Sequence, residues 1–289
     1  MLPIHSKRTL LLIGQSYTVC HADSTHCSMV SQESNHDRSK VQCLRGARRS
    51  SAGGGRTTSG VVRVGHTVRR PLKSNSPFVH QLLAHLESTG FVGAPRFLGI
   101  DSANREILSF IPGFVPDNLG EFSGAQLSSA ARLLRAMHDA TTTCDFRGGS
   151  EVICHGDASP CNCVFIDGQP TAFIDFDAAH AGTRLDDVGY AAWLWLDIGE
   201  DIDPELQGRR LADFFAAYAE VNIRDAVAAV IDAQIRLASR SGAPREWAER
   251  CREWTERNKA SLIEACTSKT VESARMRHGE TAALLCRVR

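Results

Sequence analysis

Three oxygen-bearing side chains, Asp157, Asn162 and Asp175, stand five and then thirteen residues apart in VICHGDASPCNCVFIDGQPTAFIDFDAAHAGTRLDDV, the segment from Val152 to Val188. A carboxylate on a loop suits the removal of a proton from an attacking hydroxyl. An amide oxygen and a second carboxylate held side by side suit Mg²⁺, which takes a few protein oxygens and leaves other positions to waters and nucleotide phosphates. The chemistry that these residue types and spacings point to is phosphoryl transfer.

The elements around them explain how they could be held together. Val152 to Cys154 is a short apolar run that reads as a buried strand. It breaks at His155-Gly156, and Pro160 keeps the following residues, Asp157 among them, on a loop. Cys163 to Ile166 and Thr171 to Ile174 read as two strands joined by the turn signal Asp167-Gly168-Gln169-Pro170. Asn162 precedes the first of these strands and Asp175 follows the second. Antiparallel neighbours lie about 4.8 Å apart, so the hairpin brings both side chains to one end.

HGDASPCN followed by FIDFDAAHAGTRLDDVGYAAW resembles the aminoglycoside phosphotransferase family of small-molecule kinases, relatives of the protein kinases. The resemblance spans roughly 200 residues, from near Gly53 to about Trp254, and is tight from Ile153 to Trp195. It implies that Asp157 is the catalytic base, that Asn162 and Asp175 hold Mg²⁺, and that Asp187, in LDDVGY, braces the catalytic loop. It also implies a two-lobed α+β fold, with a small antiparallel sheet lobe and a larger helical lobe. The expected cofactors are ATP, or GTP, with Mg²⁺, and the expected partner is a small-molecule hydroxyl acceptor.

On the nucleotide side, Gly53-Gly54-Gly55 precedes VVRVG and TVRRP, a hairpin pattern with Gly65-His66 at its turn. Glycine lets backbone amides approach phosphate oxygens, which makes Gly54 and Gly55 candidates for covering the nucleotide. Ser76-Pro77 reads as a helix start with Ser76 as cap, followed by Phe78, Val79, Leu82, Leu83 and Leu86 on one face. Ala94 to Ile100 and Glu106 to Ile111 resemble the two strands leading to a kinase hinge, which implies that the backbone at Ser109, Phe110 and Ile111 meets an adenine ring.

Two positions depart from the kinase pattern. Where a strand lysine is usual the chain offers Arg69 and Arg70, with Lys73 beyond Pro71, and where a helix glutamate is usual it has His80. Arg69 is taken as the phosphate contact, since guanidinium can bind phosphate as a bidentate fork. The missing acid motivates an alternative, a nucleotide-binding pseudokinase acting through a partner protein. A protein kinase is disfavoured, because no Ala-Pro-Glu-like segment follows Asp175.

The remainder reads as helical: Leu127 to His138, Leu211 to Tyr218, Ala226 to Leu237 and Pro244 to Leu262 carry apolar faces, with Trp247 and Trp254 expected in the core. His138 is expected to be structural, and the acidic segment Asp197, Glu200, Asp201, Asp203 and Glu205 a solvated loop. The chain divides into a poorly ordered extension (1–50), a nucleotide-covering lobe (51–111), a catalytic and acceptor-binding lobe (112–266) and a tail (267–289). Val41 to Leu44 is the one part of the extension that could form a first strand. A formal net charge of zero gives no reason to expect nucleic acid or an anionic membrane as partner. Ten cysteines without a convincing secretory signal suggest a reducing cytoplasm, and Cys161 and Cys163 read as packing residues rather than metal ligands.

Overall fold

The computed structural model describes residues 60–199, 202–219, 221–240 and 244–287, with side chains to residue 273. The expected extension, with Val41 to Leu44, and the glycines Gly54 and Gly55 lie outside the described residues, as do Glu200 and Asp201 of the acidic segment.

Val62–Val64 (β1) and Thr67–Pro71 (β2) form an antiparallel hairpin whose turn glycine, Gly65, has φ +61°. Phe97–Ile100 (β3) and Arg105–Ser109 (β4) complete a four-stranded sheet in the order β1-β2-β4-β3. Its register sets Arg70 opposite Glu106 and Arg69 opposite Ile107. The helix Ser76–Ser88 (α1) buries Val79, Leu82, Leu83 and Leu86.

Its cap is Asn75, not Ser76 as the sequence suggests, and Asn75 makes no side-chain capping bond. Its amide instead donates to the carbonyls of Asp177 and Ala179, each at 3.1 Å. Ser76 lies inside the helix, where its hydroxyl accepts the Lys73 N–H at 2.9 Å.

After the link at Phe110 to Gly113, the larger lobe begins with Gly124–Thr141 (α2), started by a reciprocal Ser123–Gln126 capping box. Val152–Cys154 (β5) pairs antiparallel with His180–Gly182 (β8). Cys163–Ile166 (β6) and Gln169–Phe173 (β7) form the hairpin between them. Asp167 and Gly168 alone make the turn, both at positive φ (+49° and +74°), so β7 starts two residues before the expected Thr171. Pro170 is tolerated because this sheet has only two strands, and both are edges.

Four helices follow: Arg184–Leu196 (α3), Pro204–Tyr218 (α4), Ile223–Ala238 (α5) and Arg245–Arg287 (α6). They enclose one apolar core in which Trp193, Trp195, Phe214, Leu127 and Leu134 are almost fully buried. Trp193 stacks on Trp247 at 4.7 Å between ring centroids, as core rather than surface aromatics. The expected tail boundary at 266 is not a break. Leu262 and Cys266 are still buried against the core, and α6 runs on past them without interruption. The architecture is α+β: a small lobe of a four-stranded antiparallel sheet and one helix, followed by a larger, mainly helical lobe that carries two short two-stranded sheets. Among the described residues, no helix is long and apolar enough to cross a membrane.

Candidate active site

The loop after β5 is built around close backbone approach. Gly156 has φ +77°, and a Cβ there would meet the Ala178 carbonyl oxygen at 2.2 Å, so only glycine lets the loop lie against the neighbouring turn. The loop is pinned from α3: the N–H groups of His155 and Gly156 donate to Asp187 at 2.5 and 2.8 Å. His138 meets the same carboxylate at 3.1 Å and, through its other ring nitrogen, the Tyr218 hydroxyl at 2.6 Å. Burial acts to raise the Asp187 pKa, but hydrogen bonding and charge from His138 hold it below the usual carboxylate range. Asp187 is thus a fully engaged anion holding the loop, and His138 orients it.

Asp157 follows immediately. Its Oδ1 accepts the Tyr190 hydroxyl at 2.8 Å, from one turn further along α3. Burial lifts the Asp157 pKa to about 7, against the opposing pull of the Tyr190 and Asn162 hydrogen bonds. Burial also lowers the pKa of His155 to about 4. That neutral ring packs on Phe176 and faces the Ile174 carbonyl at 3.1 Å.

Asn162 and Asp175 meet at the hairpin end, where the Ile174 N–H donates to the Asn162 carbonyl at 2.9 Å. The Asn162 amide nitrogen donates to the Asp157 carbonyl at 3.0 Å, which turns its Oδ1 the other way. That oxygen is buried and has no protein partner. A buried amide oxygen left unpaired is unfavourable by about 1–3 kcal/mol, and a cation ligated there would satisfy it. Asp175 takes left-handed backbone angles (φ +61°, ψ +63°), uncommon for a non-glycine residue, and its Oδ1 accepts from Arg70. Burial, with the neighbouring Asp177 charge, raises its pKa to about 8. This donor set of neutral oxygen plus hard carboxylate fits Mg²⁺. The thiols of Cys161 and Cys163 are buried and their pKa values pushed up, to about 12 for Cys161, so neither offers a thiolate.

The cation at this site is Arg70. Its guanidinium binds three carboxylates: Nε to Glu106 at 2.5 Å, Nη1 to Asp175 at 3.1 Å and Nη2 to Asp177 at 2.6 Å. Lys73 also pairs with Asp177. Arg69, expected to contact phosphate, projects from the opposite face of β2 and lies against Asp101 at 3.4 Å, away from Asp175. Alternation of side chains along a strand makes the two arginines exclusive choices, and the inward one is Arg70. The acid missing from α1 is supplied by β4: Glu106 is fully buried between Arg70 and His80, the latter at 2.7 Å.

Of the residues expected at the nucleotide base, Phe110 donates its N–H to the His66 carbonyl at 2.8 Å and lies under the Arg63 guanidinium at 3.7 Å. Its backbone donor is therefore used within the small lobe. Ile111 packs with Val115, Val164, Ala172 and Ile174 in an apolar patch that ends next to Asp175. Sequence reading missed Glu106, Asp177 and Tyr190. A weak signal existed for Tyr190, which lies three residues after Asp187 and so shares its helix face.

Residues 147–229 match the model of the phosphotransferase enzyme family, APH. A trifolitoxin immunity protein from Rhizobium leguminosarum bv. trifolii is 36% identical over 166 residues, covering 52% of this chain and 62% of that protein. The chain thus matches less than two thirds of that relative's length. Among solved structures, a choline/ethanolamine kinase family protein from Mesorhizobium loti is similar at TM-score 0.48 and 12% identity, covering 71% of this chain and 88% of that one. Aminoglycoside phosphotransferase APH(3'')-Id from Streptomyces rimosus, solved with ADP and streptomycin, is similar at TM-score 0.47 and 14% identity, covering 73% and 91%. Asp157, Asn162, Asp175, Asp187 and Tyr190 all lie within the stretch, residues 147–229, that matches the phosphotransferase enzyme family model.

Proposed function

We propose that this chain transfers the terminal phosphate of ATP, or GTP, to a hydroxyl of a small molecule. The observation that carries this reading is the Asn162 Oδ1, buried and without a protein partner, beside a carboxylate at Asp175 and one loop away from a second at Asp157. Asp157 accepts the proton of the acceptor hydroxyl as its oxygen forms a bond to the γ-phosphorus; the bond from that phosphorus to the β–γ bridging oxygen breaks, and the nucleoside diphosphate leaves with that electron pair. Asn162 and Asp175 hold Mg²⁺, which when bound neutralises charge on the phosphates. Arg70, oriented by Glu106, adds positive charge on the same side. The link at Phe110 and Ile111, with its apolar patch, is where the nucleotide base is proposed to rest.

The test is turnover of MgATP by the purified chain against a panel of hydroxylated small molecules, read as nucleoside diphosphate released and as new phosphate ester by ³¹P NMR. Asp157→Asn is expected to keep nucleotide binding and lower transfer by about 10²- to 10⁴-fold. Nucleotide binding with no transfer to any acceptor, unchanged in Asp157→Asn, would favour the pseudokinase alternative. The 36%-identical relative is named as an immunity protein against a toxin, which motivates including a toxin bearing hydroxyls in the panel.

A further inference from the structure

Behind Asp157 lies a small cavity of about 90 Å³ lined by Gly156, His180, Asp186, Tyr190, Arg236 and Arg240, among others. A space of this size suits a compact group such as a carboxylate or phosphate head. Tyr190 is shared between the cavity and the base, since the hydroxyl that donates to Asp157 belongs to a cavity wall.

The charges around this space are unequally occupied. Asp187, also in the wall, is engaged by two backbone N–H groups and His138. Asp186 Oδ2 closes the capping box of α3 with Thr183, at 3.0 Å from its N–H and 2.8 Å from its hydroxyl. Its Oδ1 faces Arg236 at 3.5 Å. Both wall carboxylates therefore have partners already. Arg240, just past the end of α5, has no carboxylate within ion-pair distance among the described residues. Its positive charge acts instead on Asp157 and Tyr190.

We propose that the acceptor carries an anionic oxygen group, carboxylate or phosphate, which Arg240 binds in this cavity while the acceptor hydroxyl meets Asp157. The proposal rests on the phosphotransferase reading and narrows it. A cationic acceptor would face Arg240 with no uncommitted carboxylate in the wall, whereas an oxyanion matches the guanidinium fork. Arg240 is then a specificity-determining residue, and the cavity selects against amino sugars and amino alcohols.

The experiment uses the full chain with MgATP and four acceptor sets: hydroxy carboxylates, hydroxyalkyl phosphates, neutral polyols, and amino alcohols with aminoglycosides. Transfer confined to one or both anionic sets is expected, and which set is used separates carboxylate from phosphate. Arg240→Ala is expected to raise KM for the anionic acceptors at least tenfold while kcat moves less, with Arg240→Lys in between. Binding of the same compounds in the presence of MgADP, measured by saturation-transfer NMR, gives a readout independent of turnover. Anion binding that is lost in Arg240→Ala, with no phosphate transfer to any set, would sink the kinase reading and leave the anion site standing. Turnover of the cationic set alone, or anion binding unchanged in Arg240→Ala, would overturn the proposal.

Discussion

Asp157 becomes a usable base through the same burial that makes it a burden on the fold. With its pKa raised to about 7, the native state holds a proton at this carboxyl that the unfolded chain releases near pH 4. Across that window the folded protein binds more protons, so the contribution of Asp157 to stability falls as pH rises from about 4 to about 7 and stays low above it. Asp157→Asn removes the titration and keeps an oxygen for Tyr190 to donate to. The mutant is therefore expected to resist urea better than wild type at pH 8, by on the order of 1–4 kcal/mol, with the advantage shrinking toward pH 4.5. An equal difference at both pH values would mean that the carboxyl is not held protonated by the fold. Tyr190 acts in the opposite sense, since its hydrogen bond lowers the Asp157 pKa. In Tyr190→Phe the acid limb of the kcat/KM profile should move to higher pH, and a limb that stays in place would place the titrating group elsewhere.

At the scale of elements, the residues that meet at the hairpin were legible because both flank a turn whose chemistry is local. Asp167-Gly168 accepts positive φ at two positions, and that alone fixes which ends of β6 and β7 come together. Arg70 was not legible in preference to Arg69, because the sequence TVRRP does not say which face of β2 looks inward. Glu106 was invisible as the partner acid for a related reason: it is adjacent to Arg70 only through the β2–β4 register, and 35 residues of intervening chain carry no record of that pairing. Tyr190 depends on the rotation of α3 about its axis, which is set by packing. That packing is tight at Gly189, where a Cβ would meet the Ala229 carbonyl carbon and oxygen of α5 at 2.4 and 2.5 Å. Gly189→Ala should push α3 and α5 apart, lowering stability by about 1–3 kcal/mol as overpacking does. Because Asp187 and Tyr190 lie on the displaced helix, kcat should fall more than nucleotide affinity. A thermal shift assay and steady-state kinetics together check this, and full stability with full activity would mean that the crossing has slack.

For the molecule as a whole, the two lobes share apolar packing, since α1 joins the core of the large lobe, and beside it a set of polar links that converge on one turn. Arg70 and Lys73 pair with Asp177, Arg70 also with Asp175, and Asn75 donates to the carbonyls of Asp177 and Ala179. Arg70 is the centre of this set, because its planar guanidinium donates to Asp175 and Asp177 from separate nitrogens and ion-pairs with the fully buried Glu106. Arg70→Ala leaves Glu106 charged and unmatched apart from His80, and removing one member of a buried pair typically destabilises by about 3–5 kcal/mol. Arg70→Lys restores the charge, but a single ammonium cannot meet three carboxylates in divergent directions, so its stability should fall between Ala and wild type. If the loss arises from a stranded charge, then removing that charge as well should return much of it. Arg70→Met combined with Glu106→Leu, which replaces the buried pair by apolar groups, is expected to be more stable than Arg70→Ala in urea unfolding while remaining unable to transfer phosphate. A double variant no more stable than Arg70→Ala would show instead that the links to Asp175 and Asp177, rather than the buried pair with Glu106, hold the small lobe on the large one.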